Sequence, residues 1–372
     1  MPQVHDCVIL IPSLHPDLKL IEYIDDLTAY GFSRIVVVDD GSGPAYREVF
    51  DKIGSNPECA VLSYQQNQGK GHALKHGFSY ILEHFKDAPG VVTADADGQH
   101  TAGDCERVAA AMLSEPEKLV LGTRDFSQAN VPAKSRAGNR LTSIFFLMLY
   151  GHWLPDTQTG LRGMSMDLLP KLLGIPGERF EWEMNELIHF AGWHLDFVRV
   201  PIDTIYLEEN SGSHFRPLQD SFRIYALLFS NFFKFASSSA TSTLLDLGLF
   251  TVLVKWVLPY LFPALSAGRP YYLVLLATAV ARVCSSVFNF CINRQFVFQM
   301  ERHKGAFARY AFLVIVVLFA SATLVNALNV HLSLDRTVAK IIVDSLLFFV
   351  NYRVQKAWVF SKPRKGILSN EK

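Results

Sequence analysis

Along the first 122 residues, short apolar runs alternate with stretches whose apolar positions recur at helical spacing. The runs cover residues 7–11, 34–38, 60–64 and 90–94, and the helical stretches cover 17–30, 44–53 and 70–85. Val- and Ile-rich strands separated by helices of this length predict parallel βαβ units, and so an open, mostly parallel α/β sheet. Ligands of such sheets bind beyond the carboxyl ends of the strands. Asp39-Asp40-Gly41-Ser42 and Asp95-Ala96-Asp97-Gly98-Gln99 both fall there.

From about residue 229 the pattern changes to long apolar segments, at 232–258, 271–296, 306–328 and 337–360. Each reaches the ~20 residues that cross a bilayer, which predicts an all-α transmembrane domain of four helices. The ten residues from Asn289 to Phe298 match those from Asn351 to Phe360 as Asn-aromatic-x-x-amide-base-x-aromatic-Val-Phe. Each copy closes an even-numbered span, so the pattern reads as a duplicated two-helix hairpin.

Composition sharpens this division. Of the 372 residues, 50% are hydrophobic and 19% charged, which excludes a disordered chain and argues against a wholly water-soluble one. The formal net charge of zero hides an asymmetry: residues 1–228 carry 19 Lys/Arg against 30 Asp/Glu, and the remainder 16 against 5, so the two parts are −11 and +11. The basic residues after the first domain concentrate in 293–309 and beyond 353, which by the positive-inside rule sets them, and the acidic head, on the cytoplasmic side. The expected organisation is a cytoplasmic domain at 1–212, an interfacial amphipathic connection at 213–230, a transmembrane domain at 231–361 and a basic cytoplasmic tail at 362–372. The N-terminus lacks the charged start and long apolar stretch of a signal peptide. Five scattered cysteines and an unclustered set of histidines (His72, His76, His100 and His214 among them) fit neither a disulfide framework nor a structural zinc site. Nucleic acid is not an expected partner; a lipid bilayer is, and self-association through the membrane domain is a further expectation.

The chemistry lies at the strand ends. Asp95 and Asp97 follow an apolar strand directly, with Gln99 two residues on. Hard oxygen ligands of this kind, completed by phosphates and water, suit Mg²⁺ or Mn²⁺ on a diphosphate. Arg124, Arg136, Arg140 and Arg162 stand on Gly-, Ser- and Thr-rich segments, and arginine is the side chain best fitted to a phosphate monoester. Ser213-His214-Phe215-Arg216, followed by Phe222, Arg223, Tyr225 and Phe229, interleaves basic and aromatic residues as an interfacial helix does. Asp246, Arg282 and Asp344 are ionisable residues inside predicted spans, where such groups face a partner or a cavity.

Taken in order, Ile11-Pro12, Val38-Asp39-Asp40-Gly41-Ser42, Asn67-x-Gly69-Lys70-Gly71-x-Ala73, Asp95-Ala-Asp97-Gly-Gln99, Gly122-Thr-Arg124, Ser135-Arg136-x-Gly138-Asn139 and Asp156-Thr-Gln158-Thr-Gly160-Leu-Arg162 resemble family 2 glycosyltransferases of the dolichol- or polyprenyl-phosphate sugar synthase type. The resemblance spans about 5–225, while 230–360 is similar to a GtrA-type four-helix membrane domain. It implies a GT-A fold and inverting transfer of one sugar from a UDP- or GDP-linked donor to a polyprenyl phosphate. This domain pairing further implies a bacterial setting, hence undecaprenyl phosphate and the plasma or inner membrane, with both termini cytoplasmic. Carried onto this sequence, Pro12, Asp39, Asp40, Ser42, Lys70 and Asp95 contact the nucleotide-sugar, and Asp97 with Gln99 holds the metal. Arg124, Ser135, Arg136, Gln158, Arg162, Ser213 and Arg216 face the acceptor phosphate. Asp95, Asp97 and Glu183 are the catalytic carboxylates, Glu183 as a positioning group, since a phosphate monoester is already largely anionic at neutral pH. Where relatives commonly have Asn-Glu after the first-strand proline, this chain has Ser13-Leu14-His15-Pro16-Asp17. Two other classes compete: a polysaccharide-elongating family 2 synthase, whose Gln-x-x-Arg-Trp motif is absent from this sequence, and a non-catalytic membrane carrier or scaffold, against which the intact Asp95/Asp97/Gln99 set argues.

Overall fold

A computed structural model describes residues 3–129, 131–205, 217–263, 270–298 and 305–360. The chain forms two units, Met1–Leu228 and Phe229–Lys372. The expected boundaries at 212/213 and 361/362 fall outside the described residues.

Among the described residues the first unit is built on seven strands: β1 (Val8–Ser13), β2 (Ile35–Asp39), β3 (Cys59–Ser63), β4 (Gly90–Thr93), β5 (Leu119–Thr123), β6 (Arg162–Ser165) and β7 (Phe197–Pro201). The helices are α1 (Lys19–Ala29), α2 (Arg47–Gly54), α3 (Lys70–His84), α4 (Ala102–Ser114), α5 (Ala133–Tyr150), α6 (Leu169–Leu173) and α7 (Glu181–Gly192). All residues of β1, β2 and β4 are buried, because helices cover both faces of the sheet. Beneath α1 and α4 one core joins Ile9, Ile11, Val37 and Val92 to Leu20, Ile24, Leu27, Val108 and Met112.

The strand order is β3-β2-β1-β4-β6-β5-β7. The chain steps outward from β1 to β3 and then returns across β1 to β4, which makes the β1/β4 carboxyl edge a topological switch point, where open α/β sheets form a crevice. The sheet is mostly parallel, as expected, and mixed, because β6 runs antiparallel to both β4 and β5. The other pairings, β1 with β2 and β4, β2 with β3, and β5 with β7, are parallel. Just past the 95–99 turn, α4 is secured by a capping box: Asp104 N–H donates to Thr101 Oγ1 at 3.1 Å and Thr101 N–H to Asp104 Oδ2 at 3.2 Å.

The unit boundary falls inside helix α8 (Pro217–Val252). Further helices cover Pro270–Ile292, Ala306–Leu332 and Arg336–Val354. Among the described residues three stretches, Gln219–Leu261, Tyr271–Val297 and Ala306–Leu332, are long and apolar enough to cross a membrane. The fourth expected span is helical but is not among them; Lys340, Asp344 and Arg353 interrupt its apolar character.

The sequence repeat has a structural counterpart. Each copy ends in a π turn, Asn293–Val297 and Gln355–Val359. Asn293 Nδ2 donates to Asn289 Oδ1 at 2.9 Å, as Gln355 Nε2 donates to Asn351 Oδ1 at 3.2 Å. The copies meet where Asn293 Nδ2 also reaches Gln355 Oε1 at 3.0 Å and the closing rings of Phe298 and Phe360 stack at 5.0 Å.

Candidate active site

At the end of β2 the two aspartates have different duties. Asp39 Oδ1 accepts the Ser42 N–H at 2.8 Å, and Ser42 Oγ accepts the His15 N–H at 2.9 Å, so the β1 and β2 ends are tied together. The Asp40 carboxylate receives Tyr64 O–H at 2.7 Å, Asn67 Nδ2 at 3.1 Å, Gln68 N–H at 2.8 Å and Gly69 N–H at 2.9 Å. It therefore organises the loop that leads into α3. Gly69, at φ +108°, is required there: a Cβ would lie 2.5 Å from the Glu178 carbonyl oxygen. Pro12 is buried inside β1.

The next residue, Lys70, opens α3 and reaches the end of β4. Its ammonium lies 2.6 Å from Asp95 Oδ1 and 2.8 Å from Glu183 Oε1, the latter in the first turn of α7. Burial alone would raise the Asp95 pKa, but the Lys70 charge and the His100 ring hold its carboxyl well below the usual range. Burial likewise opposes the Lys70 charge, yet Asp95 and Glu183 outweigh it and raise its pKa. Asp97 is affected in the opposite sense: burial first, then the Asp95 charge, raise its pKa. Its Oδ1 accepts the Gln99 N–H at 3.1 Å. A half-buried carboxylate pushed toward protonation by a neighbouring anion is a position where a cation is welcome. Its oxygen chemistry, with Gln99 beside it, fits a Mg²⁺ or Mn²⁺ held mainly by phosphate oxygens. Among the described residues no group of three or more His, Cys, Asp or Glu could hold a metal without such help.

A second cluster lies on the loop before β6. Asp156, fully buried, takes Arg124 Nε at 2.7 Å and Nη2 at 3.2 Å, a bidentate pair. Asn139 on α5 donates to the Pro155 carbonyl at 2.5 Å and accepts the Thr157 N–H at 3.1 Å, joining the Ser135–Asn139 and Asp156–Arg162 motifs. Ser135 is half-buried and Arg136 exposed, its Nη2 donating to the Gln128 carbonyl at 2.9 Å; the Gln158 side chain is exposed.

Arg162, expected on the acceptor side, lies inside the head. Arg162 is 2% exposed, and its guanidinium is committed to Glu186, to the Glu183 carbonyl at 2.9 Å and to the Thr159 carbonyl at 2.9 Å. These bonds tie α7 to the loop before β6, and they leave Nη2 without a partner among the described residues. Ser213 and Arg216 lie outside the described residues. Sequence reasoning missed Glu186 and Asp156 as the buried partners of Arg162 and Arg124. Glu186 stands three residues after Glu183 on the same helix face, which was a readable signal; nothing local to Asp156 reveals its partner.

Acidic strand ends at a switch point, an ammonium between two carboxylates, and helices long and apolar enough to cross a bilayer describe a membrane protein with an acidic α/β crevice. Comparison with known proteins makes this specific. Residues 9–173 match the model of glycosyl transferase family 2, and residues 234–360 match that of the GtrA/DPMS transmembrane domain. An uncharacterized protein of Methanocaldococcus jannaschii is 32% identical over 205 residues, 54% of this chain and 82% of that protein. The UDP-N-acetylglucosamine–dolichyl-phosphate N-acetylglucosaminyltransferase of Methanococcus voltae is 27% identical over 219 residues, 54% of this chain and 86% of that enzyme. Glycosyltransferase AglJ of Haloferax volcanii is 26% identical over 267 residues, 69% of this chain and 84% of that protein. The chain belongs to glycosyl transferase family 2, fused to a GtrA-like membrane domain, and is a glycosyltransferase.

Proposed function

We propose that this glycosyltransferase has a GT-A fold and moves a single sugar, with inversion, from a UDP- or GDP-linked donor to a polyprenyl phosphate, undecaprenyl phosphate in a bacterial plasma membrane. The observation that carries the choice of acceptor is the joining of a family 2 domain to a GtrA/DPMS domain in one chain, alongside a relative named for a dolichyl-phosphate acceptor.

In this reading a phosphate oxygen of the acceptor bonds to the anomeric carbon as that carbon's bond to the donor diphosphate breaks, and the electron pair leaves with the nucleoside diphosphate. The acceptor is already an anion, so no side chain has to remove a proton. Asp97 and Gln99 would hold a divalent ion, whose chemistry there would be to offset the charge that develops on the leaving diphosphate. Lys70, paired with Asp95 and Glu183, holds both carboxylates together on the nucleotide-sugar side. Asp39 and Ser42 border the nucleoside side, and Asp40 acts through the loop it holds. Arg124, Ser135, Arg136, Gln158 and Arg162, together with Ser213 and Arg216, form the acceptor side, Arg162 also tying α7 to it. Residues 1–212 are the catalytic domain, 213–230 the interfacial connection, 231–361 the membrane domain and 362–372 the tail, with head and both termini cytoplasmic.

Membranes containing the protein, supplied with polyprenyl phosphate and a panel of radiolabelled nucleotide-sugars, test this directly. The expected result is one labelled, mild-acid-labile lipid product whose formation stops in chelator. Label incorporated only into a lengthening polysaccharide would overturn the single-sugar reading, and no label from any donor would overturn the transfer itself.

A further inference from the structure

The turn that carries Asp97 and Gln99 runs between two fixed elements. On one side Asp95 follows β4, its Oδ1 held by Lys70 at 2.6 Å. On the other, Thr101 caps α4, whose Cys105, Val108 and Met112 are buried in the core. His100 stands between the turn and this cap, 4% exposed. Its Nε2 lies 3.6 Å from Asp95 Oδ2, and neither ring nitrogen has a hydrogen-bond partner among the described residues. Burying a polar ring without partners is costly, so the ring calls for a role beyond filling space. Filling alone would be done better by an apolar ring, as Phe78 and Phe146 do elsewhere in the head. Asp95 Oδ2 is confined from a second side as well, because a Cβ added at Gly160 would collide with it.

We propose that His100 is a positioning residue for this turn: as a nucleoside diphosphate and its divalent ion enter, the Nε2–H closes on Asp95 Oδ2 and fixes Asp97 and Gln99 in place for the metal. The donor and its metal here are those of the proposed function, on which this role rests. An N–H···O bond spans about 2.7–3.2 Å, so about half an ångström of closure makes the bond. Hydrogen bonds of a site often tighten in this way only once the ligand is bound. Asp95 and His100 enclose the turn between them in the sequence, so a bond between their side chains ties its two ends together. Asp97 is the residue that gains. Its Oδ1 accepts the Gln99 N–H at 3.1 Å, a bond internal to the turn that does not anchor it to the sheet. The Asp95–His100 bond anchors the turn to β4 and to α4 at once.

The test compares His100→Phe, which keeps a ring and removes both nitrogens, with His100→Gln, whose amide N–H reaches about as far as Nε2. Calorimetric titration of the full chain in detergent with UDP and with GDP, in Mn²⁺ and in chelator, measures the affinity. In Mn²⁺ the Phe variant is expected to bind nucleotide about tenfold more weakly than wild type and the Gln variant within about threefold of it, the difference made by one charge-assisted hydrogen bond. In chelator all three should bind alike. Melting temperatures without nucleotide should agree within a few degrees, because the free protein does not make the bond. Equal Mn²⁺-dependent binding by the Phe variant and wild type would overturn the proposal and leave the donor reading standing. A Gln variant as weak as Phe would overturn it too, since the shape of the ring and not its N–H would then matter. Should the Phe variant not fold, His100→Asn takes its place: its amide reaches only as far as Nδ1, so it should bind weakly, and Asn equal to Gln overturns the proposal. A wild type that binds neither nucleotide in Mn²⁺ would overturn the donor reading itself, and this role with it.

Discussion

Lys70 holds two carboxylates from different elements with one ammonium, and that makes it the residue whose loss is most informative. Lys70→Met leaves Asp95 and Glu183 facing each other half-buried, and breaking such a pair costs about 3 kcal/mol. The pH dependence follows from the signs. In the wild type Asp95 is held below its unfolded value, so its contribution is present above about pH 4 and lost only as pH falls through the depressed value. Without Lys70, burial raises that carboxyl above its unfolded value, and the resulting instability is relieved as pH falls toward about 4. The difference in melting temperature between wild type and Lys70→Met should therefore narrow from pH 7 to pH 5; a constant difference would contradict the arrangement. Asp97→Ala should act differently, abolishing transfer by at least about a hundredfold while the melting temperature stays within a few degrees of wild type, because it removes a charge that the fold does not need. Wild-type turnover in chelator would count against the same assignment. The acidic residues of both strand ends were legible as site residues from their position after apolar runs. The Lys70–Glu183 bridge was not, since it joins helices far apart in the sequence and depends on a tertiary crossing that no local pattern encodes.

At the level of elements, the loop from Tyr64 to Gly69 is shaped by Asp40 more than by its own sequence. Asp40→Ala strands four donors at once, and hydrogen bonds to a charged group are worth about 1.5–3 kcal/mol each before the loop relaxes. A loss of melting temperature together with weakened nucleotide binding is the expected outcome. Weakened binding at unchanged melting temperature would instead return Asp40 to the role of a direct nucleoside contact, as the family resemblance alone implies. The strands β1 to β4 could be read from the chain because buried parallel strands are nearly continuous Val/Ile runs. Strand β6, Arg162-Gly163-Met164-Ser165, offers no such run; it is a strand because Gly163 lets α4 approach closely and the buried edges of β4 and β5 need partners. Helix α5 misleads in the other direction. An apolar stretch within a head that otherwise reads as soluble points to core, and the exposure of Leu141, Ile144 and Leu147 on its second face appears only after folding.

For the whole molecule, the opposite charges of its two parts describe a division of labour that truncation can test. The hydrogen bonds that join Thr142 and Tyr150 of α5 to Tyr225 and Leu228 set the cut after Leu228. A head of residues 1–228 should keep metal-dependent nucleotide binding and turn over a short-chain, detergent-dispersed acceptor, but should need about tenfold more of a long-chain one, because confinement to the plane of the lipid is lost. A folded, nucleotide-binding head inert toward the short chain would show that the membrane unit supplies part of the site. The fourth expected span illustrates where composition stops being informative. Lys340 pairs with Asp344 at 2.8 Å, and Ser321 Oγ donates to Asp344 at 2.6 Å, so these two charges, which interrupt the apolar run, are partnered within the unit. Asp246 and Arg282, 3.3 Å apart, form a similar pair between α8 and the Pro270–Ile292 helix.

The amide contact between the two repeat copies has a practical corollary. A joint that is symmetric in its parts, Asn289 with Asn293 on one side and Asn351 with Gln355 on the other, does not depend on the peptide link that connects them. Breaking the chain within 299–304 and expressing the pieces together should give fragments that find each other in the membrane and co-purify as one split protein. Asn293→Leu, which removes the bonds to Asn289 and to Gln355, should leave the pieces separable in mild detergent. Fragments that never associate, even with Asn293 intact, would mean that the linker and not the matched ends holds the duplicated hairpins side by side.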